Sequence, residues 1–351
     1  MIVKDEEPVL DRCLAAVCRF ADELIIVDTG SKDQSRNIAL RYTDRVYDFP
    51  WTGDFSEARN VSFSYATCDY VMWIDADDVV ADESVAALLD LKRTIDPKTD
   101  VVFCLYKDDP SNLYAAQVLR DRIWRRVIKP QWTCAVNEGI QLLSTHIRYT
   151  AEDVIIIHDK VHVNNPDRNI NIYEGLRKSN GPFHALYYYY YARDLFAHNR
   201  TEEALEFLRP HIDDESNSYL PEIIMQYVQC LLHLNRGEEA FPVLLHTLSY
   251  ERPRAHVCCW IGKLLMAQSH YDAAIFWFET ALNLPKFPPD LHIDYIHCHS
   301  LIPYQQLVKC HFKLGNLEEA AHYNELAALI RPDSQAITNN RMLFSMLVEE
   351  K

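Results

Sequence analysis

Val71-Met72-Trp73-Ile74-Asp75-Ala76-Asp77-Asp78 is a short apolar run that ends in three carboxylates. The apolar residues predict a short buried strand. In an open α/β sheet, ligands sit outside the carboxyl ends of the strands. Carboxylates crowded this closely repel one another, so a divalent cation is their natural partner. Hard cations such as Mg²⁺ or Mn²⁺ take carboxylate and phosphate oxygens. These residues alone point to a metal–diphosphate site at a strand end.

The residues before this run alternate between strand and helix signals. Ile2-Val3 is a candidate first strand, and Pro8 fits the first position of a helix whose apolar face is Leu10, Cys13, Leu14, Val17 and Cys18. Glu23–Asp28 is a second buried strand ending in an acid. A turn follows at Thr29-Gly30-Ser31-Lys32-Asp33, then a helix through Tyr42 and a short strand at Arg45–Phe49. A loop from Trp51 leads into a helix from about Ser56 to Ala66. Such spacing implies parallel strands joined by right-handed helical crossovers. After the acidic run, Glu83–Thr94 reads as helix, and Asp100–Tyr106, Val118–Trp124 and Val154–His158 as strands. The expected α/β domain covers residues 1–165.

A linker is expected over 166–182, and from 183 to 351 the strand signals vanish. Four segments align there on a buried-type alanine: Ala204, Ala240, Ala274 and Ala320. The intervals from 204 to 240, 240 to 274 and 274 to 320 are 36, 34 and 46 residues. The first two lie close to the tetratricopeptide period of about 34. The third carries an insertion around Pro285-Lys286-Phe287-Pro288-Pro289. A stack of such helix pairs buries a continuous core and offers a concave face to a peptide or protein partner. It can equally brace the first domain or join two copies of the chain.

Composition excludes several classes. The chain has 351 residues and a formal net charge of −16, so the basic footprint of a nucleic-acid binder is missing. No apolar run approaches the roughly 18 residues of a membrane span, and no signal peptide opens the chain. Ten cysteines without a C-x-x-C pair read as free thiols of a reducing cytosol rather than a zinc ribbon. Adjacent residues on a helix diverge, which argues against His297-Cys298-His299 as a metal site. A cytoplasmic protein is expected. The short lead-in before Ile2 leaves open whether more chain precedes Met1.

Four motifs occur in a fixed order: Met1–Glu7, Ile25–Asp33, Trp51 with Asp54-Phe55-Ser56-Glu57-Ala58-Arg59-Asn60, and Trp73–Asp78. In this order they resemble family-2 glycosyltransferases of the GT-A fold, in the branch that carries C-terminal tetratricopeptide repeats. That branch includes the peptide S-glycosyltransferases that modify glycocins of the sublancin type. The resemblance implies a Rossmann-like, mostly parallel α/β domain followed by an all-α repeat domain. It also implies inverting transfer of a sugar from a nucleotide-sugar, usually a UDP-hexose, with Mg²⁺ or Mn²⁺.

Carried onto this sequence, the resemblance assigns Asp28 to the uracil and Glu6 to the ribose. Asp54 and Arg59 flank the same face, with Arg59 on the diphosphate or orienting the acidic motif. Asp75 faces the ribose side, Asp77 is the metal ligand, and Asp78 adds negative potential. Inversion needs a base beside the acceptor, and Glu138 in Val136-Asn137-Glu138-Gly139 matches that acid. Asn137 stands where the branch carries His, and Asp5 where Asn is common. His158, ending an apolar strand, is a further metal ligand or phosphate contact. Trp132 either stacks on a sugar or sits in the core. The favoured acceptor is a Ser, Thr or Cys side chain of a peptide or protein. The alternatives are a saccharide or cell-envelope acceptor, and a non-catalytic repeat scaffold on a relict nucleotide-sugar fold.

Overall fold

The computed structural model describes residues 1–107, 117–159, 166–179, 183–217, 219–249, 252–285 and 296–349. The chain forms two compact units, Met1–His184 and Ala185–Lys351.

The first unit opens with a three-stranded sheet of β1 (Ile2–Val3), β2 (Ile26–Asp28) and β3 (Val46–Asp48), in that order and parallel throughout. The register pairs Val3 with Asp28 and Asp28 with Asp48, so the three strands end level with one another. Between them run α1 (Glu7–Val17), with a proline in its first turn, and the short α2 (Ser35–Ala39). Helix α1 buries Val9, Leu10, Cys13, Leu14 and Val17; Cys18, expected on the same face, follows the helix and is exposed.

The acidic run lies between β4 (Tyr70–Met72) and β5 (Asp78–Val80). Strand β4 is hydrogen-bonded into a second sheet rather than beside β1. That sheet contains β6 (Val101–Lys107), β7 (Gln117–Arg125) and β10 (Arg148–His158) in the order β4-β7-β6-β10-β5. The β10–β6 pair is parallel; β4–β7, β6–β7 and β10–β5 are antiparallel. A small hairpin of β8 (Trp132–Thr133) and β9 (Gly139–Ile140) carries the Asn137–Glu138 turn. Helices α3 (Phe55–Ser64) and α4 (Asp82–Thr94) complete the layers. Both sheets share one apolar core, with Val3, Leu10 and Ile26 from one side and Val102, Cys104 and Ile156 from the other.

The linker expected at 166–182 requires correction. Residues Arg168–Lys178 form a helix, α5, and belong to the first unit, whose boundary falls after His184 rather than at 165. Ile170 and Tyr173, three positions apart on that helix, are both buried. The polar residues around them masked this apolar pair in the sequence.

The second unit is helical: α6 (Ala185–Ala197), α7 (Thr201–Leu208), α8 (Leu220–His233), α9 (Gly237–His246), α10 (Ala255–Ala267), α11 (Tyr271–Asn283), α12 (Leu301–Leu314), α13 (Leu317–Ile330) and α14 (Gln335–Glu349). They pack as pairs α6·α7, α8·α9, α10·α11 and α12·α13. Ala204, Ala240, Ala274 and Ala320 are fully buried in the second helix of each pair. Each intra-pair turn is the same device. Asn199, Asn235, Ser269 and Gly315 hold φ of 60°, 59°, 62° and 81°. The next residue's N–H then donates to a carbonyl five positions back: Arg200 to Leu195, Arg236 to Leu231, His270 to Leu265 and Asn316 to His311. This is a Schellman stop, which needs one left-handed residue per helix end. Close approach is visible within α10·α11, where a Cβ on Gly262 would lie 2.7 Å from the Phe278 ring. Most of the expected insertion after Pro285 lies outside the described residues.

Candidate active site

Level strand ends place the acid-bearing turns together. Asp5 follows β1 with φ 55°, a conformation that Asn and Asp tolerate better than most residues. Its N–H donates to Ser31 Oγ (3.1 Å), and its Oδ1 accepts from Lys32 N–H (2.7 Å). An aspartate can therefore serve where Asn is common: the position needs a left-handed residue with a side-chain acceptor. Glu6 lies beside it at the start of α1. Burial, then the nearby Asp77 and Asp75, push its carboxyl up to about 7.

Asp28 is buried at the end of β2. Its Oδ1 accepts from the N–H groups of Gly30 (3.1 Å) and Ser31 (2.8 Å), so that oxygen shapes the turn. Asp54 caps α3: its Oδ1 accepts from Glu57 N–H (3.1 Å) and Ser56 Oγ–H (2.7 Å). Its observed contacts are those of an N-cap.

Arg59 is the centre of a buried cluster. Its Nη2 donates to Asp75 Oδ1 (2.8 Å) and its Nε to Glu138 Oε1 (2.7 Å). The guanidinium lies 5.2 Å from the Trp73 ring centroid and 4.8 Å from that of Trp132. Trp132 is buried, so it belongs to the core. Asn60 locks the hairpin beside it: Nδ2 donates to Trp132 O (2.9 Å), and Oδ1 accepts from Trp132 N–H (2.8 Å). Arg59 thus pairs with the acidic turn through Asp75 and with the hairpin through Glu138. Burial alone would raise the Asp75 carboxyl; Arg59, with Arg122 behind it, reverses this and holds it at about 2.

Asp78 closes the turn from inside. Its side chain is fully buried, and its Oδ2 accepts from Asp75 N–H (2.9 Å) and Arg122 Nη1 (2.9 Å). Its Oδ1 is buried and has no hydrogen-bond partner. His158, paired with Asp78 across β10 and β5, sets Nδ1 at 3.4 Å from Asp77 Oδ1 and 3.8 Å from Asp78 Oδ1. The two carboxylates raise its imidazole to about 10. One ligand atom from each of Asp77, Asp78 and His158 lies within 4.8 Å of the others, the sole such cluster among the described residues. An orphaned buried carboxylate oxygen next to a carboxylate and an imidazole is a donor set that fits a divalent cation.

Glu138 is held through Oε1 by Arg59; its Oε2 has no hydrogen-bond partner among the described residues. Asn137, at φ 51°, donates from Nδ2 to the buried Tyr173 hydroxyl (2.6 Å) on α5. The departure from His therefore has a structural use: a left-handed turn residue that anchors the Glu138 loop. Sequence reasoning missed Arg122. The available signal was a cluster of three charged residues, Arg120-Asp121-Arg122, inside a strand pattern.

Residues 1–136 match the family profile described as Glycosyl transferase family 2, and residues 255–286 match a tetratricopeptide repeat. A TPR repeat-containing protein of Synechococcus elongatus is 36% identical over 125 residues, covering 36% of this chain and 30% of that protein. The SPbeta prophage-derived glycosyltransferase SunS of Bacillus subtilis is 24% identical over 277 residues, covering 72% of this chain and 63% of that protein. The chain therefore spans less than two thirds of the length of either. Among solved structures, Pseudomonas aeruginosa pilF aligns over 53% of this chain and 75% of its own, with 15% identity and a TM-score of 0.40. The N-terminal match is thus to family-2 glycosyltransferases and the C-terminal one to tetratricopeptide repeats, and the chain is similar to SunS over 72% of its length.

Proposed function

We propose that the chain is an inverting, metal-dependent glycosyltransferase that moves a hexose from a UDP-sugar to a Ser, Thr or Cys side chain of a peptide or protein. The observation that carries this reading is the Asp77–Asp78–His158 cluster, with Glu6 near enough to Asp77 and Asp75 for their charges to raise its carboxyl. Asp77, Asp78 and His158 would hold Mg²⁺ or Mn²⁺. When bound, the cation offsets charge gathering on the departing nucleoside diphosphate. Asp28 and Glu6 supply acceptors for the nucleoside. Asp75, fixed by Arg59, faces the ribose side, and Asp54 holds the start of the helix that delivers Arg59.

The acceptor attacks the anomeric carbon from the face opposite the leaving diphosphate, and the proton it gives up needs a base. Glu138 has one oxygen fixed by Arg59 and the other available to take that proton. Because Arg59 grips Asp75 and Glu138 together, donor-side and acceptor-side carboxylates share one rigid strut. The tetratricopeptide-like unit supports a peptide or protein acceptor and a cytoplasmic setting.

The test is sugar transfer by the full chain. UDP release from several UDP-hexoses is measured with Mn²⁺, with and without candidate peptides, for the native chain and Asp77→Ala. Metal-dependent release that Asp77→Ala abolishes supports the reading. Absence of both turnover and metal-dependent UDP binding in the native chain overturns it.

A further inference from the structure

Arg122 lies where the β6–β7 register slips. Val102 pairs with Ile123 and Phe103 with Asp121, which leaves Arg122 with no partner on β6. Such a bulge re-aims a side chain. Here it puts the guanidinium 3.7 Å from the Trp73 ring centroid and 4.7 Å from that of Tyr106, with no solvent exposure. Nη1 donates to Asp78 Oδ2 (2.9 Å) and reaches Trp73 O (3.4 Å). Nε and Nη2 are buried without a hydrogen-bond partner. A buried arginine with two nitrogens, three N–H groups in all, left unpartnered carries a desolvation cost that stability alone does not explain.

We propose that Arg122 is the positioning residue of the cation site: it pins Asp78 through Oδ2 so that Oδ1 is presented to Asp77 and His158. The inference rests on the metal-dependent reading above and names a residue that reading does not use. The same Oδ2 takes Asp75 N–H, so one carboxylate oxygen closes the turn while the other, buried and unbonded, lies 3.8 Å from His158 Nδ1. Charge alone predicts the opposite sign. Arg122 is a cation behind a cation site, and deleting it by simple Coulomb repulsion would tighten metal binding. The geometric role predicts weakening, because Asp78 without its anchor no longer holds Oδ1 in place. Residues that orient metal ligands typically cost 10–100-fold in affinity when replaced.

The experiment titrates the full chain with Mn²⁺ alone, following free Mn²⁺ by electron paramagnetic resonance. It compares the native chain, Arg122→Met and Arg122→Lys, each checked for native circular dichroism. Arg122→Met is expected to weaken Mn²⁺ binding at least about tenfold, and Arg122→Lys, which keeps charge but loses the planar fork, by about threefold or more. Where Arg122→Met does not fold, Arg122→Lys decides. Turnover of the weakened variants is expected to recover at saturating Mn²⁺, a shift in metal requirement that a merely unstable protein does not show. Unchanged or tighter Mn²⁺ binding in a folded variant overturns the proposal. If the native chain itself binds no Mn²⁺, the metal reading fails rather than the role of Arg122 within it.

Discussion

Removing the Arg59 guanidinium should strand two carboxylates at once. In Arg59→Met the partly buried Asp75, whose side chain is 27% exposed, loses its ion pair, and Glu138, whose side chain is 12% exposed, loses its partner. Breaking a buried pair by deleting one member costs about 3–5 kcal/mol, since the other charge stays desolvated. The Trp73 and Trp132 rings each lose the Arg59 cation, about 0.5–2 kcal/mol apiece, which the methionine partly restores by packing. We expect a net loss of about 3–5 kcal/mol in the first unit. For a domain of its size that is roughly 6–20 °C in Tm. Arg59→Lys keeps a charge but cannot reach both acids in the fork geometry, so about 1–3 kcal/mol is expected. The assay is urea unfolding followed by tryptophan emission in a Trp260→Phe, Trp277→Phe background. This leaves Trp51, Trp73, Trp124 and Trp132 as reporters, all in the first unit. A loss under about 1 kcal/mol for Arg59→Met would falsify the strut, because no rearrangement within the buried cluster offers both acids a second cation.

Other consequences are checkable separately. Removal of divalent cations with EDTA, or Asp77→Ala, should lower kcat/KM for sugar transfer about 100-fold or more, with restoration by added Mn²⁺ only in the native chain. Glu138→Gln should cut turnover about 10²–10⁴-fold while UDP with Mn²⁺ still raises Tm as in the native protein; a parallel loss of both would move Glu138 from proton transfer to donor binding. In the second unit, Ser269 at φ 62° should gain up to about 1 kcal/mol as Gly and lose about 1–2 kcal/mol as Val, read by thermal unfolding. Gly262→Ala should cost about 1–3 kcal/mol by overpacking against Phe278, and an unchanged Tm would mean that α10 and α11 are not packed as closely as described.

The fold was legible wherever one physical signal dominated. Apolar runs ending in acids marked β1, β2 and β4, and the recurring alanines marked the helix pairs, because each alanine sits at zero exposure where two helices meet. The same turns also carried Asn199, Asn235, Ser269 and Gly315, five positions before each alanine, a second periodicity in backbone rather than packing. Helix α5 was not legible. Its moderate amphipathicity is interrupted by Asn169, Asn171 and Gly175, and only tertiary burial of Ile170 and Tyr173 settles it.

The candidate site divides along a similar line. The placement of Asp75, Asp77, Asp78 and His158 at strand ends was readable, because strand termini fix position along the chain. Arg59 and Glu138 were also singled out in the sequence, but their pairing was not readable, and neither was Arg122. Arg59 and Glu138 are 79 positions apart, and Asp78 and Arg122 are 44 apart. Their pairing follows from sheet order and from the slip between Val102 and Phe103, which no residue type signals in advance. That slip matters chemically. Without it, strict alternation would put Arg122 on the face of Trp124, and Asp78 would be left without the cation that lets it be buried. A one-residue irregularity in β7 thus stands between an acidic turn that folds on its own and one that needs a bound cation to hold its shape.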